Sequence, residues 1–165
     1  MIDQKSTTQI TMPSDREIVI TRVFNAPREL VFKAWSKPEY LARWWGPKGW
    51  TLPISKMDFR PGGQWHYCMK GPEGEQSCGL AIYHEIVPPE RIVYTDYFAD
   101  AEGNPKEGLP ESRITVEFTE HDGATKLTST ALYKTKEDLD KVLKMGMEEG
   151  MTESLNRLEE FLASL

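Results

Sequence analysis

From Thr135 to Leu165 the apolar residues Leu139, Val142, Leu143, Met147, Met151, Leu155 and Leu158 recur at three- and four-residue steps, the period of a helix with one apolar face. Thr135-Lys-Glu-Asp138 ahead of it reads as a capping box. The pattern predicts one long closing helix over 135–165. Such a stripe needs a partner surface, since a lone helix keeps little structure, and a sheet is the surface that would supply it. Gly146 and Gly150 interrupt the stripe beside Met145, Met147 and Met151. There the inner face is thin and adaptable, which suits a pocket wall.

The chain ahead of that helix is expected to build the sheet. Arg16–Phe24 is rich in β-formers in alternation and reads as a first strand. Asn25 is placed to cap and Pro27 to open a short helix whose apolar face is Leu30, Val31, Ala34 and Trp35; a second short helix begins at Pro38 and carries Tyr40, Leu41, Trp44 and Trp45. From Thr51 to Tyr133 short alternating runs replace helical spacing, with six strands expected at 51–60, 63–70, 76–87, 91–99, 112–119 and 124–133. Pro61-Gly62-Gly63, Gly71-Pro-Glu-Gly74, Pro88-Pro89 and His121-Asp-Gly123 separate them. The longer connection Asp100–Glu111 reads as a polar surface loop. About seven antiparallel strands in the order β-α-α-β6-α, curved around the long C-terminal helix, make an α+β helix-grip architecture. Residues 16–165 would form this one domain, with 1–15 a flexible lead-in or an edge extension.

Charge and length exclude several functions. A chain of 165 residues buries enough surface to fold without a metal or disulfide staple. A net charge of -6 and a pI near 5.2 leave no basic footprint for nucleic acid or an anionic membrane. No apolar run is long enough to span a bilayer, and 1–15 carries no apolar signal core, so the expected compartment is the cytoplasm. The two cysteines are then expected reduced.

Pairing between the strands expected at 63–70 and 76–87 follows from their turn. Centring it on Glu73 sets Cys68 against Cys78, Tyr67 against Gly79 and His66 against Leu80. Cys68 and Cys78 are thus cross-strand neighbours, read as two thiols on a sheet face, with a disulfide the product of oxidation. A Cys, Cys, His66 metal site lacks a fourth ligand and CxxC spacing, and no metal is expected. The opposite face carries Trp65, Tyr67 and Met69 over Ala81, Gly79 and Ser77, large aromatics over small residues. The structural reading of these residues is core; the functional one is an apolar cavity between sheet and helix. Trp65, Tyr67, Gly79, Tyr83, Tyr97, Met147 and Met151 are its candidate ligand-binding residues, with Thr95 a further polar handle. Arg113 and Glu117 are expected to point outward. Trp35, Trp44, Trp45 and Trp50 either seal one end of the sheet or, as Trp44, Trp45 and Trp50, gate the cavity mouth with Gly46 and Gly49 for mobility.

No nucleophile elbow, phosphate-binding glycine loop, dinucleotide fingerprint or HExxH occurs, so no catalytic residue and no cofactor is assigned. The runs "NAPRELVFKAWSKPEYLARWWGP", "DFRPGGQWHYCMKGPEGE", "EIVPPERIVYTDYF" and "EEGMTESLNRLEEFL", in this order, resemble the activator-of-heat-shock-ATPase-homologue family. That family belongs to the START-like (SRPBCC, birch-pollen-allergen-like) superfamily of helix-grip folds. The resemblance spans about residues 16–165, and Met151 stands where the family often has Trp. It implies, first, binding of a hydrophobic or amphipathic small molecule without a cofactor. Second, it implies a module acting on a chaperone ATPase, here without the additional partner-binding domain of the eukaryotic activators. A cyclase- or hydrolase-type enzyme ranks third and would gain ground from His84, an Asp or a Glu buried at the pocket floor with a shifted pKa. The chain is expected as a monomer or homodimer, with aromatics near Trp44 as the dimer contact.

Overall fold

The computed structural model describes residues 8–165, and the expected α+β helix-grip arrangement is what it shows. Along the chain run β1 (Gln9–Ser14), β2 (Glu17–Phe24), α1 (Arg28–Ser36), α2 (Pro38–Trp44), β3 (Thr51–Met57), β4 (Gln64–Lys70), β5 (Gln76–Val87), β6 (Arg91–Ala99), β7 (Ser112–His121), β8 (Ala124–Tyr133), α3 (Lys136–Lys144) and α4 (Met147–Ala163). Their strands form one antiparallel sheet in the order β1-β2-β8-β7-β6-β5-β4-β3. After β2 the chain leaves through α1 and α2, re-enters at the opposite edge as β3 and meanders back until β8 pairs with β2.

Eight strands stand where seven were expected, because Gln9–Ser14 pairs with β2 as an edge extension. The first seven residues of the expected lead-in lie outside the described residues. Asn25 does not cap α1: Pro27 occupies the N-cap position without a side-chain bond, its own carbonyl accepting from the amides of Leu30 and Val31. The turn-centred register of the β4–β5 hairpin is as expected, with Tyr67 opposite Gly79 and Cys68 opposite Cys78. Those two cysteines are joined in a disulfide, with Cα atoms 4.0 Å apart, rather than held as thiols.

The closing helix is two helices. Thr135 caps α3 by accepting from the Asp138 amide at 3.1 Å, as the capping box requires. At Gly146 the backbone turns left-handed, φ 87°, and α4 starts anew at Met147. A left-handed residue ends a helix without steric penalty only when it lacks a Cβ. The break divides the core as well. Leu155, Leu158, Phe161 and Leu162 of α4 pack with Phe24, Phe118, Trp35 and Trp44 in the larger cluster. Leu139 and Val142 of α3 pack with Ile18, Ala131 and Tyr133 in a smaller one. Met147, beside the break, touches both.

Candidate functional site

At the seam between these two clusters the helices and the sheet fail to meet, leaving a cavity of about 330 Å³. Its walls draw on both: Ile20, Trp45, Tyr67 and Tyr94 from the larger cluster, Ile18, Ala131, Tyr133 and Val142 from the smaller. The helical side is Met145, Gly146, Met147, Gly150, Met151 and Ser154, so the helix break itself forms part of the wall. Met145 is 54% exposed, and the cavity therefore reaches the surface beside the break. A volume of this order is in the range of small-molecule sites, which run from about 300 Å³ upward.

Gly79 makes room for the aromatic wall. A Cβ built there would collide with the Tyr67 phenol, so only glycine lets that ring lie flat across β5. The other rim is the turn after α2. Arg157 of α4 reaches over and donates from one nitrogen to the carbonyls of Trp45, Gly46 and Pro47 at 3.3, 3.0 and 3.1 Å, and from another to Arg43 at 3.3 Å. These carbonyls at and just past the end of α2 carry partial negative charge, which a guanidinium satisfies. Burial holds the Arg157 pKa below its ordinary value. Ser154 completes the clamp, accepting from the Gly46 amide at 3.1 Å.

Of the residues expected to bind a ligand, Tyr67, Met147 and Met151 line the cavity, and Gly79 lies behind Tyr67. Trp65 and Tyr83 do not reach it; they face a much smaller void of about 10 Å³ among Trp35, Trp45, Ala81, Ile92 and Tyr94. Tyr97 is a correction. A β-bulge between Tyr83 and Glu85 shifts the β5–β6 register, so that Ala81 pairs with Asp96, not Tyr97. Tyr94, Asp96 and Phe98 therefore face the cavity, while Thr95 turns to the other face and bonds His84 at 2.6 Å. An unbroken register from the Pro88-Pro89 turn would have set Tyr97 across from Ala81. Arg113 and Glu117 are exposed, as expected.

The expected gate reduces to Trp45. Trp44 is fully buried and donates its indole N–H to the Ala34 carbonyl at 3.0 Å, which removes it from a gate. Trp50 lies outside the cavity lining, whereas Trp45 lines both voids and packs edge-on against Trp35, Trp44, Trp65 and Tyr67. His66 sits near the disulfide, its Nε2 3.1 Å from the Asp100 carbonyl oxygen. Disulfide sulfurs have no thiolate to offer a metal.

What sequence reasoning missed is Asp96. Its carboxyl accepts from the Tyr67 hydroxyl at 3.5 Å, and burial raises its pKa to about 7 against that hydrogen bond. Asp96 retains some accessible surface on the wall of an apolar chamber, and partial burial among those apolar walls is what moves its pKa upward. Burial and the nearby Asp96 push the Tyr67 and Tyr94 pKa values well up. Tyr133 is raised to about 12, mainly by burial. All three hydroxyls stay neutral at physiological pH. A buried carboxyl with a shifted pKa is what favours the enzymatic reading, and Asp96 meets that condition; exposed His84 does not.

The sequence model of the Activator of Hsp90 ATPase homolog 1-like family matches residues 25–163, most of the chain. The chain belongs to that family. The Activator of Hsp90 ATPase homolog 1-like stretch includes every cavity-lining residue except Ile18 and Ile20 of β2. No curated protein matches the chain. Solved structures do. A crystal structure from Mycobacterium smegmatis is 33% identical, with a TM-score of 0.88 over 94% of this chain and 97% of that one. A solution structure from Arthrobacter aurescens is 29% identical, with a TM-score of 0.88 over 95% and 92%. Another, from Staphylococcus epidermidis, is 33% identical, with a TM-score of 0.80 over 94% of each. The likeness in each case covers the whole Activator of Hsp90 ATPase homolog 1-like fold, its START-type sheet and closing helices together.

Proposed function

We propose that this protein binds a hydrophobic or amphipathic small molecule, one per chain, in the cavity between sheet and helix break. The observation that carries this reading is the chamber of about 330 Å³ at the seam of two otherwise packed cores. Packed interiors leave few voids larger than a water, and a space of this size lined by Met147, Met151, Tyr67 and Ile20 forgoes the contacts a ligand would restore. Titration with an environment-sensitive apolar dye is expected to saturate near one-to-one and to raise the melting temperature with dye concentration. Gly150→Leu, which sets a side chain into the wall, is expected to weaken that binding about tenfold or more. Dye binding that never saturates, or that survives the filling substitution unchanged, would reject the site.

Asp96 is also a group that could move a proton on a bound molecule. As a catalytic device it stands half-equipped, since the tyrosines around it are held neutral and no second acid or base lines the chamber among the described residues. Binding is therefore placed ahead of turnover. The family's description favours a second reading, contact with an Hsp90-type ATPase. Stimulation of a purified chaperone's ATP hydrolysis by the added protein would support it, and an unchanged rate at saturating protein would reject it.

A further inference from the structure

The cavity holds one carboxyl and no cation to balance it once it ionises. No Lys, Arg or His lines it among the described residues, and Asp96 is its sole carboxyl. The groups facing that carboxyl can be named element by element. Tyr67 comes from β4, Tyr83 from β5, Tyr94 from β6 itself and Tyr133 from β8, each a phenol held neutral. The rest of the lining adds no charge: β7 contributes the Ser112 hydroxyl and the helices Val142, Met147, Met151 and Ser154. Among the described residues Asp96 accepts one side-chain hydrogen bond, the long one from Tyr67. A carboxylate has about four lone-pair sites, so most of its acceptor capacity is unused by protein side chains. Among the described residues no ion pair holds this carboxyl, so its free acceptor capacity faces the chamber and is open to a ligand.

We propose that the chamber takes an amphipathic monocation, an apolar body held by the methionine and isoleucine walls with a protonated amine set against the Asp96 carboxylate. Three features converge on this class. The amine supplies the one charge the site lacks. Trp45, Tyr67 and Tyr94 bring aromatic rings to the lining of the same chamber, and aromatic rings favour cations over anions. A carboxylate ligand, by contrast, would have to bind beside a like charge or take up a proton on entry. The inference rests on the cavity reading above and narrows it to a ligand charge.

The test is calorimetric titration with three probes sharing one apolar body: phenylbutylamine, phenylbutanol and phenylbutyrate. Each is titrated at about pH 6 and about pH 8, into wild type and into Asp96→Asn. The expected result is that the amine binds wild type about tenfold or more tighter than the alcohol at the higher pH. Its affinity should rise by up to about tenfold between the two pH values as a carboxyl with a pKa near 7 ionises, while the alcohol stays level and the butyrate weakens. Asp96→Asn should still bind the alcohol and lose the preference for the amine over it. Alcohol binding by the variant also reports that its cavity is intact, and the pH comparison on wild type stands without the variant. If the alcohol binds but the amine gains nothing, or keeps its advantage in Asp96→Asn, the cation inference fails and the cavity reading stands. If none of the three binds, both fail.

Discussion

Asp96 makes stability depend on pH, and the sign follows from where its pKa moves. In the fold it titrates near 7, above the ordinary aspartate value, so across the interval from about pH 4 to about pH 7 the native state holds a proton that the unfolded chain has lost. Its contribution therefore falls as pH rises through that window and stays low above it. Asp96→Asn removes the effect. Urea denaturation is expected to find the variant close to wild type near pH 4 and more stable by on the order of 2 kcal/mol near pH 8, a figure discounted for the accessible surface Asp96 keeps. Equal pH slopes for the two proteins would show that the carboxyl is solvated and paired. Tyr67 and Gly79 form the other residue-scale pair. Gly79→Val drives the Tyr67 ring off β5 into the chamber, so dye affinity should drop about tenfold or more; an unchanged affinity would mean that the ring finds another seat.

Elements were legible where they depend on near neighbours in sequence. Thr135 and Asp138 announce a helix start, and Glu73 centres a hairpin whose pairing follows by counting; both are local chemistry. The β5–β6 bulge is not local. It leaves alternation intact on each strand and changes only which faces meet, so Tyr97 and Asp96 exchange sides without a trace in composition. The helix break hides for a related reason, because the apolar steps through Val142, Leu143 and Met147 keep helical spacing across Gly146. Glycine was the cue, but glycine alone does not say whether a helix thins or stops. Its conformation does: Gly146 has φ 87°, with open space where a Cβ would go, so Gly146→Ala isolates the backbone penalty. A loss of about 1 kcal/mol is expected in urea denaturation. A neutral or stabilising result would mean that α3 and α4 run on as one helix, which would also close the chamber beside Met145 and Met147.

At the scale of the whole molecule, element order and the apolar closing stripe were enough to read a sheet gripping a helix, whereas the cavity arises from a mismatch between two clusters that no single segment encodes. The disulfide was missed on a different ground: geometry put Cys68 beside Cys78, and an argument about compartment overrode it. Its effect on the two halves of the fold can be separated. Cys68 and Tyr67 are consecutive residues of β4 and so point to opposite faces, the sulfur away from the cavity that the phenol lines. Closing a separation of ten residues restricts the unfolded chain by an amount worth about 2–3 kcal/mol, which at this chain length corresponds to a fall of roughly 5–10 °C in Tm when the bond is lost. Calorimetry with and without a thiol reductant, and of Cys68→Ala/Cys78→Ala, is expected to show that fall in both cases. Dye titration well below the lowered Tm is expected to give the oxidised protein's affinity, because the pairing of Tyr67 with Gly79 is held by the ladder on either side of the disulfide. Two free thiols by mass spectrometry in the untreated protein, or a Tm indifferent to reductant, would remove the bond. A Tm fall accompanied by lost dye affinity would instead make the two faces of the β4–β5 hairpin one cooperative unit, with the outer face setting the shape of the inner.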